Sequence, residues 1–267
     1  MSTYVLSDLH GRYDLFRAML KKINFTDDDV LYILGDVSDR GSDGIRIFLF
    51  IMGQPNIILL AGNHEILFLK ACEKASEAVS GRSFFLSEEW LTWQYNGGET
   101  TWEEFTLLHA EEQKEITGYI RNAFLVIPDL KVNGREFYLC HSTHLERFAR
   151  HPVFLSDASE EEISHVVWDR DYPQKKDGRE QPAAGKYKEL YAMYPRKMKM
   201  VFGHTPTCYL DGTAPDGRGR IFHGGKGHLI GIDCGCASTD PDLAMLGCLR
   251  LEDLAEFYVP GTVRPEK

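Results

Sequence analysis

Residues 3–65 constrain this chain more than anything after them, because short apolar runs and amphipathic repeats alternate there and each run stops at a polar cluster. Residues 3–7 form an apolar run ending at Asp8. Phe16, Met19, Leu20 and Ile23 then fall at i, i+3, i+4 and i+7, the spacing of one helix face. Residues 30–34 are continuously apolar, as in a strand covered on both sides. Ile45, Phe48, Leu49 and Met52 repeat the helical spacing behind Ser42, the expected N-cap, and residues 57–60 make a third buried strand. Strand, helix, strand, helix, strand in that order predicts parallel pairing with right-handed crossovers. Ligands of such sheets bind beyond the carboxyl ends of the strands. The polar clusters stand in those places: Asp8-Leu9-His10-Gly11, then Gly35 to Gly41, then Gly62-Asn63-His64-Glu65.

Residues 65–122 read as a mainly helical cap segment in which Trp90, Trp93 and Trp102 pack, with a break at Asn96-Gly97-Gly98. From about residue 123 strands take over, at 124–127, 130–132 and 137–140, with Asn133-Gly134 as a hairpin signal. Residues 171–190 read as an exposed polar loop, and residues 211–228, with six glycines, as a loop near the site. Residues 200–202, 229–232, 246–251 and 256–259 supply further strands. Without an internal repeat or a linker, residues 1–267 read as one α/β domain built from two sheets.

Composition narrows the partners. A formal net charge of -10 lacks the clustered Lys and Arg of a nucleic-acid binder, so no nucleic-acid partner is expected. That charge does not oppose phosphate chemistry, because bound cations invert the local sign. It speaks for solubility and assigns no oligomeric state. The six cysteines are dispersed and read as reduced core thiols; Cys234 and Cys236 match no zinc-site spacing. There is no signal-peptide pattern, and no apolar run approaches the roughly 20 residues that span a bilayer. A cytoplasmic protein with no membrane partner is expected.

Later strands also end in polar residues: Cys140 leads to His141-Ser142-Thr143, Phe202 to Gly203-His204-Thr205 and Ile232 to Asp233, while Trp168-Asp169-Arg170 follows Val166-Val167. Taken singly, each has a plain structural explanation. A histidine sits at a sheet edge, Asp8 or Asp39 caps a helix, Asn63 makes a turn and Arg40 forms a surface ion pair. Their joint occurrence at strand ends reverses that reading. Asp8, His10, Asp36, Asn63, His141 and His204 are oxygen and imidazole donors without thiolates, a set that suits manganese, iron or zinc. Two such ions about 3.5–4 Å apart clamp an in-line displacement at phosphorus. A carboxylate such as Asp36 has the two oxygens that a bridging ligand needs.

The motifs Ser7-Asp8-Leu9-His10-Gly11, Gly35-Asp36-Val37-Ser38-Asp39-Arg40-Gly41 and Gly62-Asn63-His64-Glu65, followed by His141, Arg170, Gly203-His204-Thr205 and Asp233, carry a family likeness. On them the chain resembles the phosphoprotein phosphatase family of calcineurin-like metallophosphoesterases, especially its bacterial and phage-type serine/threonine phosphatases. The resemblance covers about residues 3–251. It implies a four-layer α/β/β/α sandwich of two mixed sheets flanked by helices, holding two divalent metal ions, manganese first, with iron or zinc as alternatives. Asp8, His10 and a bridging Asp36 are implied as ligands of the first ion, and Asn63, His141 and His204 as the remaining ligands of the second. His64 is implied as the general acid, oriented by Asp39, and Arg40 and Arg170 as the grip on the phosphoryl oxygens. The departures are Ser7 for glycine, Ser38 for valine, and Ser142-Thr143 after the third metal histidine.

The resemblance implies phosphomonoester cleavage by direct attack of metal-bound hydroxide, first on a phosphorylated protein at serine or threonine, or on a small phosphoester. The alternative is a nucleotide hydrolase of the symmetrical diadenosine tetraphosphatase type, or a phosphodiesterase. Asp39 tilts the balance to the phosphatase, since the tetraphosphatases typically replace that residue. A non-catalytic phosphoprotein-binding scaffold is a further reading, which a missing ligand would mark; none is missing.

Overall fold

The computed structural model describes residues 1–77, 84–145, 147, 149–170, 174–176, 179–181, 198–210 and 213–262. Its first part runs β1 (Thr3–Leu6), α1 (Tyr13–Lys22), β2 (Val30–Ile33), α2 (Gly44–Met52), β3 (Ile57–Leu59), α3 (Asn63–Glu77), α4 (Glu88–Tyr95), α5 (Glu99–Thr106) and α6 (Ala110–Arg121). Then come β4 (Phe124–Val132), β5 (Arg135–Cys140), β6 (Val153–Phe154), α7 (Glu160–Trp168), β7 (Gln174–Lys176), β8 (Arg179–Gln181) and β9 (Met198–Phe202). The last strands are β10 (Phe222–Gly224), β11 (Leu229–Gly231), β12 (Met245–Arg250) and β13 (Ala255–Pro260).

One sheet has the order β13-β12-β1-β2-β3 and the other β10-β11-β9-β5-β4-β6, and both are mixed. In the first, β1, β2 and β3 pair in parallel while β12 joins β1 antiparallel. In the second, β5, β9 and β11 are parallel, and β4 and β10 run against their neighbours.

Side-chain alternation along the strands builds the layers. Val5, Tyr32, Leu34 and Leu60 of the first sheet share one apolar cluster with Phe137, Leu139, Val201 and Ile230 of the second. Their neighbours Tyr4, Leu6, Leu31 and Ile33 point the other way, onto Phe16 and Met19 of α1 and Phe48 of α2. Tyr138, Cys140, Met200 and Phe202 likewise cluster on the far face with Val166 and Val167 of α7. The result is the expected four-layer α/β/β/α arrangement. The sheets meet where Leu60 bridges Phe124 and Ala61 N donates to Phe124 O at 2.8 Å.

Several local expectations are corrected. Residues 124–127 and 130–132 are one strand, its register shifting between Ile127 and Leu130, where Pro128 offers no backbone donor. The N-cap position before α2 is Asp43 rather than Ser42, and neither side chain caps; Glu104 of α5 accepts from Ile45 N at 2.9 Å instead. Within residues 171–190, read as an exposed loop, β7 and β8 pair as a two-stranded ribbon, and the rest of that span lies outside the described residues. Residues 211–228 contain β10. Asn133-Gly134 does turn the β4–β5 hairpin, with φ of 48° and 74°. The cysteines are free thiols, four of them buried and Cys208 exposed. Among the described residues no helix is long and apolar enough to cross a membrane.

Candidate active site

The carboxyl ends of β1, β2, β3, β5, β9 and β11 bring the polar clusters of the sequence to one place. The β1–β2 ladder continues past the strands, with His10 N donating to Asp36 O at 2.9 Å and Gly11 N to Val37 O at 2.8 Å. Gly203 N donates to His141 O at 2.7 Å across β5 and β9. Among the described residues ten non-glycine residues have positive φ, and Asp8, His10, Asp36, Asp39, Arg40 and His204 are six of them, between 45° and 70°. Such backbone costs roughly 1–3 kcal/mol per residue and persists where the surroundings over-determine it. The backbone beyond the strand ends is therefore bent at the residues whose side chains must converge.

Asp36 sits at the centre. His10 Nε2 lies 3.7 Å from its Oδ2, and His141 Nε2 3.4 Å from its Oδ1. Backbone carbonyls fix both rings: Ser38 O faces His10 Nδ1 at 3.1 Å and Leu34 O faces His141 Nδ1 at 2.6 Å, which leaves each Nε2 turned inward. Asn63 Oδ1 is 3.0 Å from His141 Nε2. Asp8 Oδ2 accepts from His204 N at 3.0 Å and from the Ser7 hydroxyl, so the serine that replaces glycine in the first motif is accommodated as a ligand-facing donor. The Nε2 of His204 is buried without a hydrogen-bond partner among the described residues.

His10, Asp36 and His64 form one group of potential ligand atoms within 4.8 Å of one another, and Asp36, His141 and His204 form a second. Asp36 belongs to both. An unpartnered imidazole nitrogen, rings pre-oriented by carbonyls and an all-oxygen-and-nitrogen donor set fit divalent cations.

Charge in this site is unevenly held. Burial alone would raise the Asp36 pKa, but His141, His64, His10 and His204 outweigh it and hold the carboxyl well below its usual range. Burial, then Asp233 and Asp36, pushes Asp8 well up. Asp233 is pushed up to about 6, mainly by burial. Burial lowers His10, His141 and His204, which suits neutral ligand rings. His64 goes the other way. Burial would lower it, yet Asp36 and its hydrogen bond to Asp39 raise it.

His64 Nδ1 is 2.6 Å from Asp39 Oδ2, both side chains being fully buried, and its Nε2 lies 3.2 Å from Arg40 Nη2 at the exposed rim. Arg170 follows the end of α7, also exposed, within the electrostatic reach of Asp233, Asp8 and Asp36. All ten residues singled out in the sequence are thus at this one locus. Missed were Glu65, which accepts from Asp36 N, Val37 N and Gly62 N at 2.8–2.9 Å, and Trp93 and Thr101 of the cap, both hydrogen-bonded to Asp39. Glu65 stood in the third motif and gave a signal; the tryptophan read only as packing.

A family profile described as calcineurin-like phosphoesterase matches residues 1–229. The chain belongs to that family. It is 32% identical over 127 residues to the symmetrical bis(5'-nucleosyl)-tetraphosphatase of Wigglesworthia glossinidia brevipalpis, covering 43% of each chain. It is 40% identical over 68 residues to the enzyme of the same name from Buchnera aphidicola subsp. Acyrthosiphon pisum (strain 5A), covering 25% of each. The matched segments therefore span between a quarter and just over two fifths of these curated relatives. Among solved structures, a serine/threonine phosphatase from Saccharomyces cerevisiae superposes with a TM-score of 0.58 at 13% identity, covering 100% of this chain and 82% of that one. A protein described as a candidate diadenosine tetraphosphatase gives 0.60 at 15% identity, covering 97% and 93%. At such identities the structural likeness speaks for the fold.

Proposed function

We propose that this phosphoesterase cleaves a P–O bond in a single in-line step at Asp36, with His64 as the proton donor to the leaving oxygen. The observation that carries this is the pair of potential ligand groups sharing Asp36, beside a histidine held by a buried carboxylate. Asp8, His10 and Asp36 would hold one divalent ion, and Asp36, Asn63, His141 and His204 the other. His64 falls within the first group by distance, but a ring drawn toward its protonated form by Asp36 and Asp39 is a poor metal ligand, which favours Asp8 in that role. When bound, such an ion pair supplies a polarised phosphoryl group and an activated water at neutral pH. Arg40 and Arg170 orient the phosphoryl oxygens through their planar, bidentate donors.

The names of the curated relatives support a dinucleoside tetraphosphate as the first substrate to consider. The second reading, a phosphomonoester of serine or threonine, is favoured by the Asp39–His64 pair, because an alkoxide needs a proton to leave far more than a nucleotide phosphate does. Manganese-loaded protein assayed on diadenosine tetraphosphate, a phosphoserine peptide and a cyclic nucleotide separates them. The first reading expects ADP release with the highest kcat/KM of the panel. Faster turnover of the phosphopeptide would establish the second, and no turnover of any would sink both. His64→Asn is expected to cost roughly 10²–10⁴-fold in kcat on an alkyl phosphate and much less on p-nitrophenyl phosphate. Equally small losses on the two would remove the acid role.

A further inference from the structure

We propose that the helical cap belongs to the proton-donating machinery, with Trp93 and Thr101 as positioning residues that act through Asp39 on His64. This rests on His64 being the proton donor. Asp39 is fully buried, and three donors converge on its carboxylate. His64 Nδ1 and Trp93 Nε1 reach Oδ2 at 2.6 and 2.8 Å, and Thr101 Oγ1 reaches Oδ1 at 2.6 Å. Thr101 Oγ1 also accepts from Asp39 N at 2.9 Å, so one hydroxyl holds the residue at both ends. Two of the three donors come from α4 and α5, more than fifty residues away in sequence. Without them the carboxylate would keep one partner and be free to rotate out of line with the imidazole.

The cap is shaped for this contact. Trp93 packs edge-on against Trp90, 5.6 Å between centroids, and at a tilt against Phe68, 5.4 Å away, so its N–H direction is fixed by an aromatic cluster. A Cβ at Gly98 would run into the Trp93 indole. Gly97, at φ 95°, accepts from Arg40 N at 2.8 Å, and a Cβ there would come within 2.8 Å of Arg40 Cγ. The pair of glycines lets the α4–α5 corner settle directly over Asp39 and Arg40. Packing alone would require an aromatic ring at 93 and a small residue at 101; it would not require an indole N–H and a hydroxyl aimed at one carboxylate.

The test measures kcat and KM on phenyl phosphate and p-nitrophenyl phosphate at saturating manganese. The variants are Thr101→Val, Thr101→Ser, Trp93→Phe, His64→Asn and the double variant Thr101→Val with His64→Asn. Thr101→Val is expected to lower kcat on phenyl phosphate by roughly 10–100-fold, less on p-nitrophenyl phosphate, with KM nearly unchanged. Thr101→Ser should restore most of the loss, Trp93→Phe should shift the same ratio of esters, and Thr101→Val should add nothing once His64 is gone. An equal loss in both His64 backgrounds, or on both esters, would overturn the proposal and leave the cap a packing role. If Trp93→Phe fails to fold, the Thr101 pair decides. Unchanged kcat on phenyl phosphate for His64→Asn alone would overturn the proton-donor reading, and the cap's role with it.

Discussion

Asp36 shows how much one residue can carry: four histidines hold it ionised against full burial, and its own backbone N–H is held in turn by Glu65. Glu65 accepts from three backbone N–H groups, so an amide in its place would set its NH₂ against at least one donor. Glu65→Gln is expected to cost roughly 1–3 kcal/mol of unfolding free energy, read from urea denaturation, because a buried donor is left unpaired. Wild-type stability for that variant would remove the strut role. The residues gathered at Asp36 were legible jointly and not singly, because their polar clusters follow apolar runs and a strand end fixes where the next few side chains go. Trp93 and Thr101 were not legible, because their partner Asp39 is 54 and 62 residues away and nothing local distinguishes an indole that donates from one that only packs.

At the scale of elements, the junction of β3 and α3 leaves no room for a side chain at Gly62. A Cβ at Gly62 would overlap the Asp36 carboxylate and approach His141 Cε1 to 2.8 Å. Gly62→Ala is therefore expected to weaken manganese binding by roughly 10–100-fold, the usual scale for disturbing the surroundings of metal ligands. Isothermal titration of metal-free protein would read it; unchanged affinity would mean the ligands tolerate the shift. The same scale explains the misread elements. Pro128-Asp129 looked like a strand break, but partner strand β5 resumes pairing beyond it. Ser42 looked like a cap, but a distant glutamate reached the helix end instead. Both outcomes were decided by neighbours in space.

Over the whole molecule, the order and periods of the elements predicted one α/β domain of two sheets, since only a layered packing buries both faces of such strands, and the helices flanking them were implied by the family resemblance. The site makes the molecule's stability depend on pH and metal together. Asp8, Glu65 and Asp233 are pushed up, Glu65 to about 7 and Asp233 to about 6, first by burial. Folded pKa values above the unfolded ones mean that the folded metal-free protein binds extra protons in that window. Their contribution to stability is present below the ordinary carboxylate range and is lost as pH rises toward about 7, while the lowered His10, His141 and His204 work in the opposite direction. Divalent ions supply the opposing charge and bind better as protons leave. The gap between manganese-loaded and metal-free Tm should therefore widen between about pH 5 and pH 7.5, as protons leave the carboxylates and imidazoles that would hold the metal; a constant gap would contradict this.

On the proposed reading, phosphoester hydrolysis requires two divalent ions at Asp36. The most direct test of that requirement is p-nitrophenyl phosphate turnover by chelator-stripped protein titrated with manganese, alongside Asp36→Asn. The expected outcome is no activity without metal, activity that saturates at two ions per chain, and loss of both binding and turnover in Asp36→Asn. Turnover that persists in chelator, or an Asp36→Asn variant that still binds two ions and turns over substrate, would contradict it.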